Sequence, residues 1–297
     1  MSFKSGFVSI IGRPNAGKST LLNHILDTKV AITSSTAQTT RNTIQGIYTD
    51  DDAQIVFMDT PGIHKPQDSL GSFMTTNAMN SIYGVDLVLL IAPADEKIGH
   101  GDQYIINRLK DVDVDVYLVL NKVDLLEKDE IIEKLASWQE LYNFKQIIPI
   151  SAKNGDNVDQ LLNLIKDDLN EGIMYYPKDM VVNHPEQFIV AELIRERILY
   201  FTTQEVPHNV AIVIEKYEET DNGMHIMADI IVDHPSQKGI IIGKQGKMIQ
   251  KIRTQSKKEM KKFLNTNVDL ELFVKVEKGW RNKTKYLKEF GYDENNY

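Results

Sequence analysis

The stretch GRPNAGKS, Gly12 to Ser19, follows the apolar run FVSII and precedes a segment with the apolar spacing of a helix. It matches the pattern G-x-x-x-x-G-K-[ST] in the strand, loop and helix context that this pattern requires. Backbone N–H groups of such a loop surround phosphate oxygens, and the N-terminus of the helix adds its positive dipole. The stretch therefore predicts a P-loop, a nucleoside triphosphate ligand and an α/β fold around them.

Within this loop, individual side chains have separate predicted roles. Lys18 should reach the terminal phosphates, and the Ser19 hydroxyl should hold Mg²⁺. Asn15 has two interpretations of equal weight: a loop residue that tolerates unusual φ/ψ values, or a ligand for a second cation such as K⁺. The predicted nucleotide contacts of the loop are Gly12, Asn15, Ala16, Gly17, Lys18, Ser19 and Thr20.

Outward from the loop, residues 7 to about 170 alternate short β-branched runs with helix-length segments such as 129–142 and 158–169. Nearly continuous apolar strands separated by helices predict a mostly parallel six-stranded sheet with helices on both faces. Residues 42–49 and 54–60 are joined by DDDA, which leaves no room for a helix, so they should form an antiparallel hairpin at one edge.

The string NKVD, Asn121 to Asp124, ends one of these strands and indicates which base is bound. A carboxylate such as Asp124 accepts two parallel hydrogen bonds from guanine, which presents two adjacent donors, whereas adenine does not. Asn121 should either bond the ring nitrogen or fix the loops, and the stem of Lys122 should cover the base. After the last strand, the string SAK should offer a backbone N–H to the guanine carbonyl; its residues are Ser151, Ala152 and Lys153.

Two further segments are predicted to respond to the γ-phosphate. DTPG ends the third strand, placing Asp59 to reach Mg²⁺ and the Gly62 N–H to contact the γ-phosphate. In the threonine-rich segment 33–41, Thr40 should close the Mg²⁺ shell when that phosphate is present. Lys18, Thr40 and Gly62 are the predicted catalytic residues. Ile63 stands where small signalling GTPases carry a water-orienting glutamine, so we expect slow hydrolysis.

The second half of the chain has a different organisation. Residues 173–185 contain two prolines and mixed polarity and are predicted to be a linker between a first domain, 1–172, and a second, 186–297. The second domain has the predicted order α-β-β-α-α-β with an appended basic helix, which matches an α+β type II KH domain. Residues 238–288 hold fifteen Lys or Arg and four Asp or Glu, a local charge of +11 in a chain of net charge −8. Such a block is typical of a nucleic-acid interface.

The string GKQG, Gly243 to Gly246, lies between the two helices of this domain. It lacks the spacing of a P-loop, and a G-x-x-G in this position is what KH domains use to clamp single-stranded RNA. On the following helix, Ile249, Ile252, Ser256, Met260 and Phe263 share the predicted core face. The predicted RNA contacts are Gly243, Lys244, Gln245, Gly246, Lys247, Lys251, Lys258 and Lys262.

Composition excludes several classes of protein. The chain is 42% hydrophobic and 26% charged, and its apolar runs are far shorter than the ~18 residues of a spanning helix, so we do not expect an integral membrane protein. A strand-like stretch begins too early for a secretory signal, so we do not expect a secreted protein. It has no cysteine, which excludes disulfides and cysteine-ligated metals and suits a reducing cytoplasm.

With both halves in place, the chain resembles the Era GTPase family over essentially its full length, through GRPNAGKST, QTTR, DTPG, NKVD and SAK followed by GKQG. The resemblance implies a GTP/GDP switch with Mg²⁺ that binds small-subunit ribosomal RNA near its 3′ end and assists 30S maturation. It also implies a monomer in the cytoplasm, with peripheral contact with the inner membrane face.

Two other interpretations fit the sequence less well. A tRNA-modifying GTPase would share the first domain, but the known type relies on a C-terminal cysteine, which this chain lacks. An RNA-binding protein with an inactive nucleotide domain is disfavoured because Lys18, Ser19, Asp59 and Gly62 are all present.

Overall fold

The computed structural model of the chain describes residues 2–34, 39–202 and 206–292. They form two compact units. The first comprises residues up to 31, 39–67 and 71–183, and the second comprises residues 184 onward, with residues 32–34 and 68–70 grouped with it.

The first unit is built on a six-stranded sheet of order β2-β3-β1-β4-β5-β6. Its strands are β1 (Lys4–Gly12), β2 (Ile44–Thr49), β3 (Ala53–Asp59), β4 (Leu87–Pro93), β5 (Asp115–Asn121) and β6 (Gln146–Pro149). All neighbours are parallel except β2 and β3, which form the predicted antiparallel hairpin at the edge. Every residue of β4 is buried, so both faces of the sheet are covered at its centre.

Four helices connect these strands: α1 (Lys18–Ile25), α2 (Ser69–Asn80), α3 (His100–Leu109) and α4 (Lys128–Gln139). A fifth, α5 (Val158–Asp168), follows β6. Alternation of strand and helix brings the carboxyl ends of the parallel strands to one edge of the sheet, where α/β proteins bind their ligands. The P-loop follows β1, DTPG overlaps the end of β3, and NKVD overlaps the end of β5, so all three strings lie at that edge.

A tract of residues 174–183, which we call the edge tract, lies along the outer side of β2. The Ile47 N–H donates to the Val181 carbonyl (2.8 Å), and the Asn183 N–H donates to the Gln45 carbonyl (3.0 Å). The buried side chain of Gln54 also binds the edge tract: its Oε1 accepts from the Tyr175 and Tyr176 N–H groups at 2.7 and 3.0 Å. Much of the segment predicted as a linker thus completes the edge of the first sheet.

The second unit has the predicted α-β-β-α-α-β order. Its elements are α6 (Glu186–Phe201), β7 (Ala211–Thr220), β8 (Gly223–Val232), α7 (Pro235–Ile242), α8 (Lys247–Leu264), β9 (Val268–Val276) and a terminal α9 (Thr284–Glu289). The central strand β8 pairs antiparallel with β7 and parallel with β9. This mixed three-stranded sheet and its helices are the fold of a type II KH domain.

The core face of α8 is narrower than predicted. Ile252, Ser256 and Met260 are buried, whereas Ile249 and Phe263 are half-buried. The buried residues are spaced by four, so they form a single row along the helix, and the flanking positions lie at the margin of the core.

Candidate functional site

The P-loop adopts a backbone that few residues tolerate. Asn15 and Gly17 have positive φ angles of 63° and 100°. The Lys18 side chain is buried beneath the loop, and its Nζ donates to the carbonyl oxygens of Gly12 (3.3 Å) and Arg13 (3.1 Å). Burial lowers the Lys18 pKa from 10.5 to about 8, against the opposing effect of the Asp59 carboxylate. The ammonium group is therefore held among the backbone atoms that surround the predicted phosphate position.

Asn121 fixes the P-loop from the neighbouring strand. Its Nδ2 donates to the Ala16 carbonyl at 2.8 Å, and its Oδ1 accepts from the Ala152 N–H at 2.9 Å. A Cβ atom on Gly17 would lie 2.1 Å from this Nδ2, so the position requires glycine for space as well as for its φ. Of the two roles that the sequence left open for Asn121, the structure shows the joining of loops, here the P-loop and the SAK string.

Three oxygen-bearing side chains predicted to bind Mg²⁺ lie together. Ser19 Oγ is 2.9 Å from Thr40 Oγ1 and donates to Asp59 Oδ2 at 2.6 Å. Asp59 is 0% exposed, and its second oxygen has no hydrogen-bond partner among the described residues. Burial raises the Asp59 pKa to about 6, although Lys18 and the Ser19 hydroxyl oppose that shift. A hard oxygen set with one unsatisfied carboxylate oxygen fits Mg²⁺.

Around this triad, the predicted γ-phosphate segments are close to the P-loop. A Cβ atom on Gly62 would lie 2.7 Å from backbone atoms of Pro14, and the Ile63 N–H donates to the Gly12 carbonyl at 3.0 Å. Ile63 is 1% exposed and packs in the hydrophobic core with residues of β4, so its side chain points away from water. Of the predicted switch 33–41, residues 35–38 lie outside the described part of the chain, while Thr40 and Arg41 are buried.

The predicted guanine-recognition residues share the same edge of the sheet. Lys122 has a φ of 67° and turns the chain after β5, and its Nζ pairs with Asp95 at 3.4 Å. The turn that follows leaves Asp124 exposed. The Val123 N–H donates to the Ile150 carbonyl at 3.2 Å, which joins the NKVD turn to the residue before the SAK string. Ser151 and Ala152 are buried there, and Lys153 is exposed. The Ala152 N–H is bound to Asn121, as described above.

Arg13, inside the P-loop, has a role that the motifs did not predict. Its Nε donates to Asp102 Oδ1 at 2.9 Å, and its Nη2 pairs with Glu96 Oε2 at 2.7 Å. Asp102 is 2% exposed and also accepts from the Gly99 N–H at 2.8 Å, at the start of α3. One buried carboxylate therefore ties the P-loop to the beginning of a helix. The only sequence signal for it is an acidic residue in the first turn of a predicted helix, a common feature.

In the second unit, GKQG forms the turn between α7 and α8. Gly243, Gln245 and Gly246 have positive φ angles of 68°, 54° and 75°, and the side chains of Lys244 and Gln245 are exposed. A Cβ atom on Gly243 would lie 2.5 Å from the Met248 Cβ, so this glycine permits the tight packing of the turn against α8. The turn presents backbone and polar side chains to solvent, as a clamp for a sugar-phosphate chain requires.

The basic stripe of α8 is exposed as predicted: Lys247, Lys251, Lys258 and Lys262 all lie on its solvent side. Between Lys247 and Lys262 there are seven basic residues and one acidic residue, Glu259. The stripe begins at the residue that follows Gly246, so the GKQG turn and the lysines form one continuous surface.

Comparison with known proteins agrees with both halves of this description. Residues 7–122 match a family described as 50S ribosome-binding GTPase, and residues 205–281 match the KH domain family. A solved structure of Era in complex with MgGDPNP and nucleotides 1506–1542 of 16S ribosomal RNA has a TM-score of 0.94 and 37% identity, covering 98% of this chain and 99% of that one. A single-residue variant of Aquifex aeolicus Era bound to GDP·AlF4⁻ gives the same values.

Identity at this level over the full length of both chains goes beyond a shared fold. The chain belongs to the Era family of GTPases: it is a GTP hydrolase that uses Mg²⁺ and carries a KH domain after its nucleotide-binding domain.

Proposed function

We propose that this chain is a GTP-dependent switch that binds small-subunit ribosomal RNA near the 3′ end through its KH unit and assists assembly of the 30S subunit. The observation that carries the proposal is the full-length relative, which was crystallised with MgGDPNP and a 3′-region segment of 16S ribosomal RNA together. The exposed GKQG turn and the lysine stripe give this chain a surface of matching chemistry.

In the nucleotide-binding half, we assign the backbone of the P-loop and Lys18 to the β- and γ-phosphates, and Ser19, Thr40 and Asp59 to Mg²⁺. Lys18 compensates charge on the terminal phosphates, and the Gly62 N–H donates to the γ-phosphate. Asp124 selects guanine, and Lys122 covers the base. Since the buried Ile63 cannot orient water, intrinsic turnover should lie well below the ~10 per second of a median enzyme.

In the RNA-binding half, Gly243 to Gly246 clamp a short single-stranded segment, and Lys247, Lys251, Lys258 and Lys262 neutralise phosphates. A single-stranded ligand held this way loses about 0.7 log units of affinity per log unit of salt for each phosphate contacted. Affinity should therefore fall steeply between low and high salt.

The remaining parts of the proposal concern location and assembly. We propose a monomer in the cytoplasm with peripheral contact with the inner face of the membrane, on the resemblance to the family. In the described parts of the chain, no helix has the length and apolar character needed to cross a bilayer.

The test measures RNA binding by the KH unit separately from GTP hydrolysis by the nucleotide-binding unit. Lys244→Asp with Gln245→Asp places negative charge on the GKQG turn while both glycines remain, and RNA affinity, measured by fluorescence anisotropy with the 3′ segment of 16S ribosomal RNA, should fall at least tenfold. Phosphate release from GTP without RNA should be unchanged. The matched control is Lys128→Asp with Gln139→Asp, the same residue types exposed on α4. Equal RNA affinity of both double variants would refute the RNA-binding assignment.

A further inference from the structure

Tyr200, at the end of α6, has an exposed side chain that contributes little to the fold. It is 74% exposed, although an aromatic ring usually buries most of its surface. Its neighbour Phe201 is half-buried, and the two rings meet edge to face with centroids 5.1 Å apart. One aromatic ring is thus held against the protein and supports a second that projects into solvent.

Two cations flank these rings. The Arg197 guanidinium lies 5.8 Å from the centre of the Tyr200 ring and also pairs with the Glu196 carboxylate, and Lys251 Nζ lies 4.1 Å from the centre of the Phe201 ring. We call Arg197, Tyr200, Phe201 and Lys251 the Tyr200 patch. Cations in these positions match the phosphates that accompany a stacked base, and they are attracted to the ring faces as well.

The patch borders the GKQG turn. Lys251 is the fifth residue of α8, so its Cα lies about 6 Å along the helix axis from Lys247, the residue that follows Gly246. Lys251 belongs both to the patch and to the basic stripe. The end of α6 therefore lies beside the first turns of α8, within one continuous surface that starts at the turn.

We propose that the Tyr200 patch is an RNA-stacking platform that receives a base next to the segment clamped by the GKQG turn. The proposal rests on the proposed function and extends it. A KH turn clamps only about four nucleotides, so a longer RNA meets the surface around the turn. That surface offers an exposed ring and the ammonium group of Lys251, and it requires no particular base. Proteins bind single strands with little sequence preference through this combination.

A structural role accounts for part of the patch. The Lys251–Phe201 contact holds α6 and α8 together, and this would be sufficient reason for those two side chains. It does not account for Tyr200, whose ring is mostly in water. A similar pair exists in the first unit, where Arg108 lies 5.5 Å from the ring of exposed Tyr104. That pair belongs to the first unit, which contains neither the GKQG turn nor the basic stripe, so it serves as the matched control.

The experiment compares two lengths of single-stranded RNA, one of four nucleotides and one of about twelve that contains the same four. With the longer RNA, Tyr200→Ala should weaken binding about tenfold, and Tyr200→Phe and Tyr200→Trp should bind like the wild type because both keep a π-face. With the four-nucleotide RNA, Tyr200→Ala should have no effect. Tyr104→Ala should bind both RNAs normally. Tyr200→Leu replaces Tyr200→Ala should the alanine variant unfold.

Each other result has a definite meaning. Normal binding of the longer RNA by Tyr200→Ala refutes the platform, and the proposed function survives if the GKQG double-aspartate variant still loses RNA. Equal weakening of both RNA lengths shows that Tyr200 acts through the shape of the turn, which also refutes the platform. Weaker binding of Tyr200→Ala to whole small subunits, with normal binding of free RNA, identifies a protein as the partner and overturns the proposal. Failure of the wild type to bind either RNA refutes the proposed function itself.

Discussion

A single carboxylate, that of Asp124, is proposed to decide which base the chain accepts. It is exposed on the turn after β5, next to Lys122. In Asp124→Asn, an amide that donates replaces an oxygen that only accepts, so guanine loses a partner and the carbonyl of xanthine gains one. The lost pairing should cost about 1–3 kcal/mol. Competition binding of GTP and xanthosine triphosphate should show weaker GTP and stronger xanthosine triphosphate binding. Unchanged GTP affinity would show that guanine is recognised elsewhere.

Both interpretations of Asn15 remain: a residue that tolerates the loop conformation, and a ligand for K⁺. Because its φ is 63°, a value that glycine adopts and alanine does not readily adopt, two substitutions can separate them. Asn15→Gly keeps the backbone conformation and removes the side-chain oxygen, whereas Asn15→Ala removes the oxygen and also strains the loop. If Asn15 helps to bind K⁺ near the phosphates, wild-type turnover should be faster in K⁺ than in Na⁺, and both variants should lose this difference. Equal wild-type rates in the two salts would contradict the cation role. A turnover loss confined to Asn15→Ala would favour a role in loop conformation.

At the scale of single residues, the motifs predict which side chains lie near one another in the site, but they predict only some of the hydrogen-bond partners of these side chains. Ser19, Thr40 and Asp59 do lie together: Ser19 is in the first turn of α1, Asp59 ends β3, and Thr40 is in the connection before β2. The second role of Asn121 could not be decided from sequence, since its contacts with Ala16 and Ala152 join residues distant along the chain. The partnership of Arg13 with Asp102 was unpredictable for the same reason.

At the scale of elements, the Arg13–Asp102 contact ties the P-loop to α3. Asp102→Ala should remove the ion pair that fixes Arg13 of the P-loop and weaken GTP binding about tenfold. It should also lower the free energy of unfolding by about 1 kcal/mol, because the Gly99 N–H loses its acceptor. Binding of a fluorescent GTP analogue and thermal unfolding measure the two effects separately. Glu96→Ala is the control: its carboxylate also pairs with Arg13 but is 43% exposed, and exposed ion pairs contribute little. Equal nucleotide affinity in the two variants would show that Asp102 serves only the helix.

Apolar patterns predict the order of the strands and helices. They do not predict the edge tract or the width of the core face of α8. Fully apolar runs predict the buried central strands, and DDDA predicts the edge hairpin, which the structure confirms. The edge tract binds β2 and Gln54 through main-chain groups, which any residue but proline supplies, so no side-chain pattern marks it. On α8, the helical repeat identifies the direction of the core but not its width, which depends on how closely the neighbouring elements pack.

At the scale of the whole molecule, a switch requires that the nucleotide change the affinity for RNA. A ligand shifts an equilibrium only through different affinities for its states, and the coupling is reciprocal. RNA affinity with GDP and with a non-hydrolysable GTP analogue should therefore differ, typically by about 5- to 150-fold. The same RNA should shift the affinity for the two nucleotides by an equal factor. Identical RNA affinities in the two nucleotide states would leave a GTPase and an RNA-binding domain without coupling.

The edge tract also bears on how the first unit behaves when it is produced alone. A fragment that ends at residue 172 loses the groups that bind the Ile47 N–H and the Gln45 carbonyl, and it bares one side of β2. Two such fragments can pair their bared strands with each other, as uncovered sheet edges do. We expect the shorter fragment to dimerise or precipitate as its concentration rises, whereas one ending at residue 183 stays monodisperse in light scattering. A stretch whose composition is typical of a hinge would thus be what keeps copies of this sheet apart.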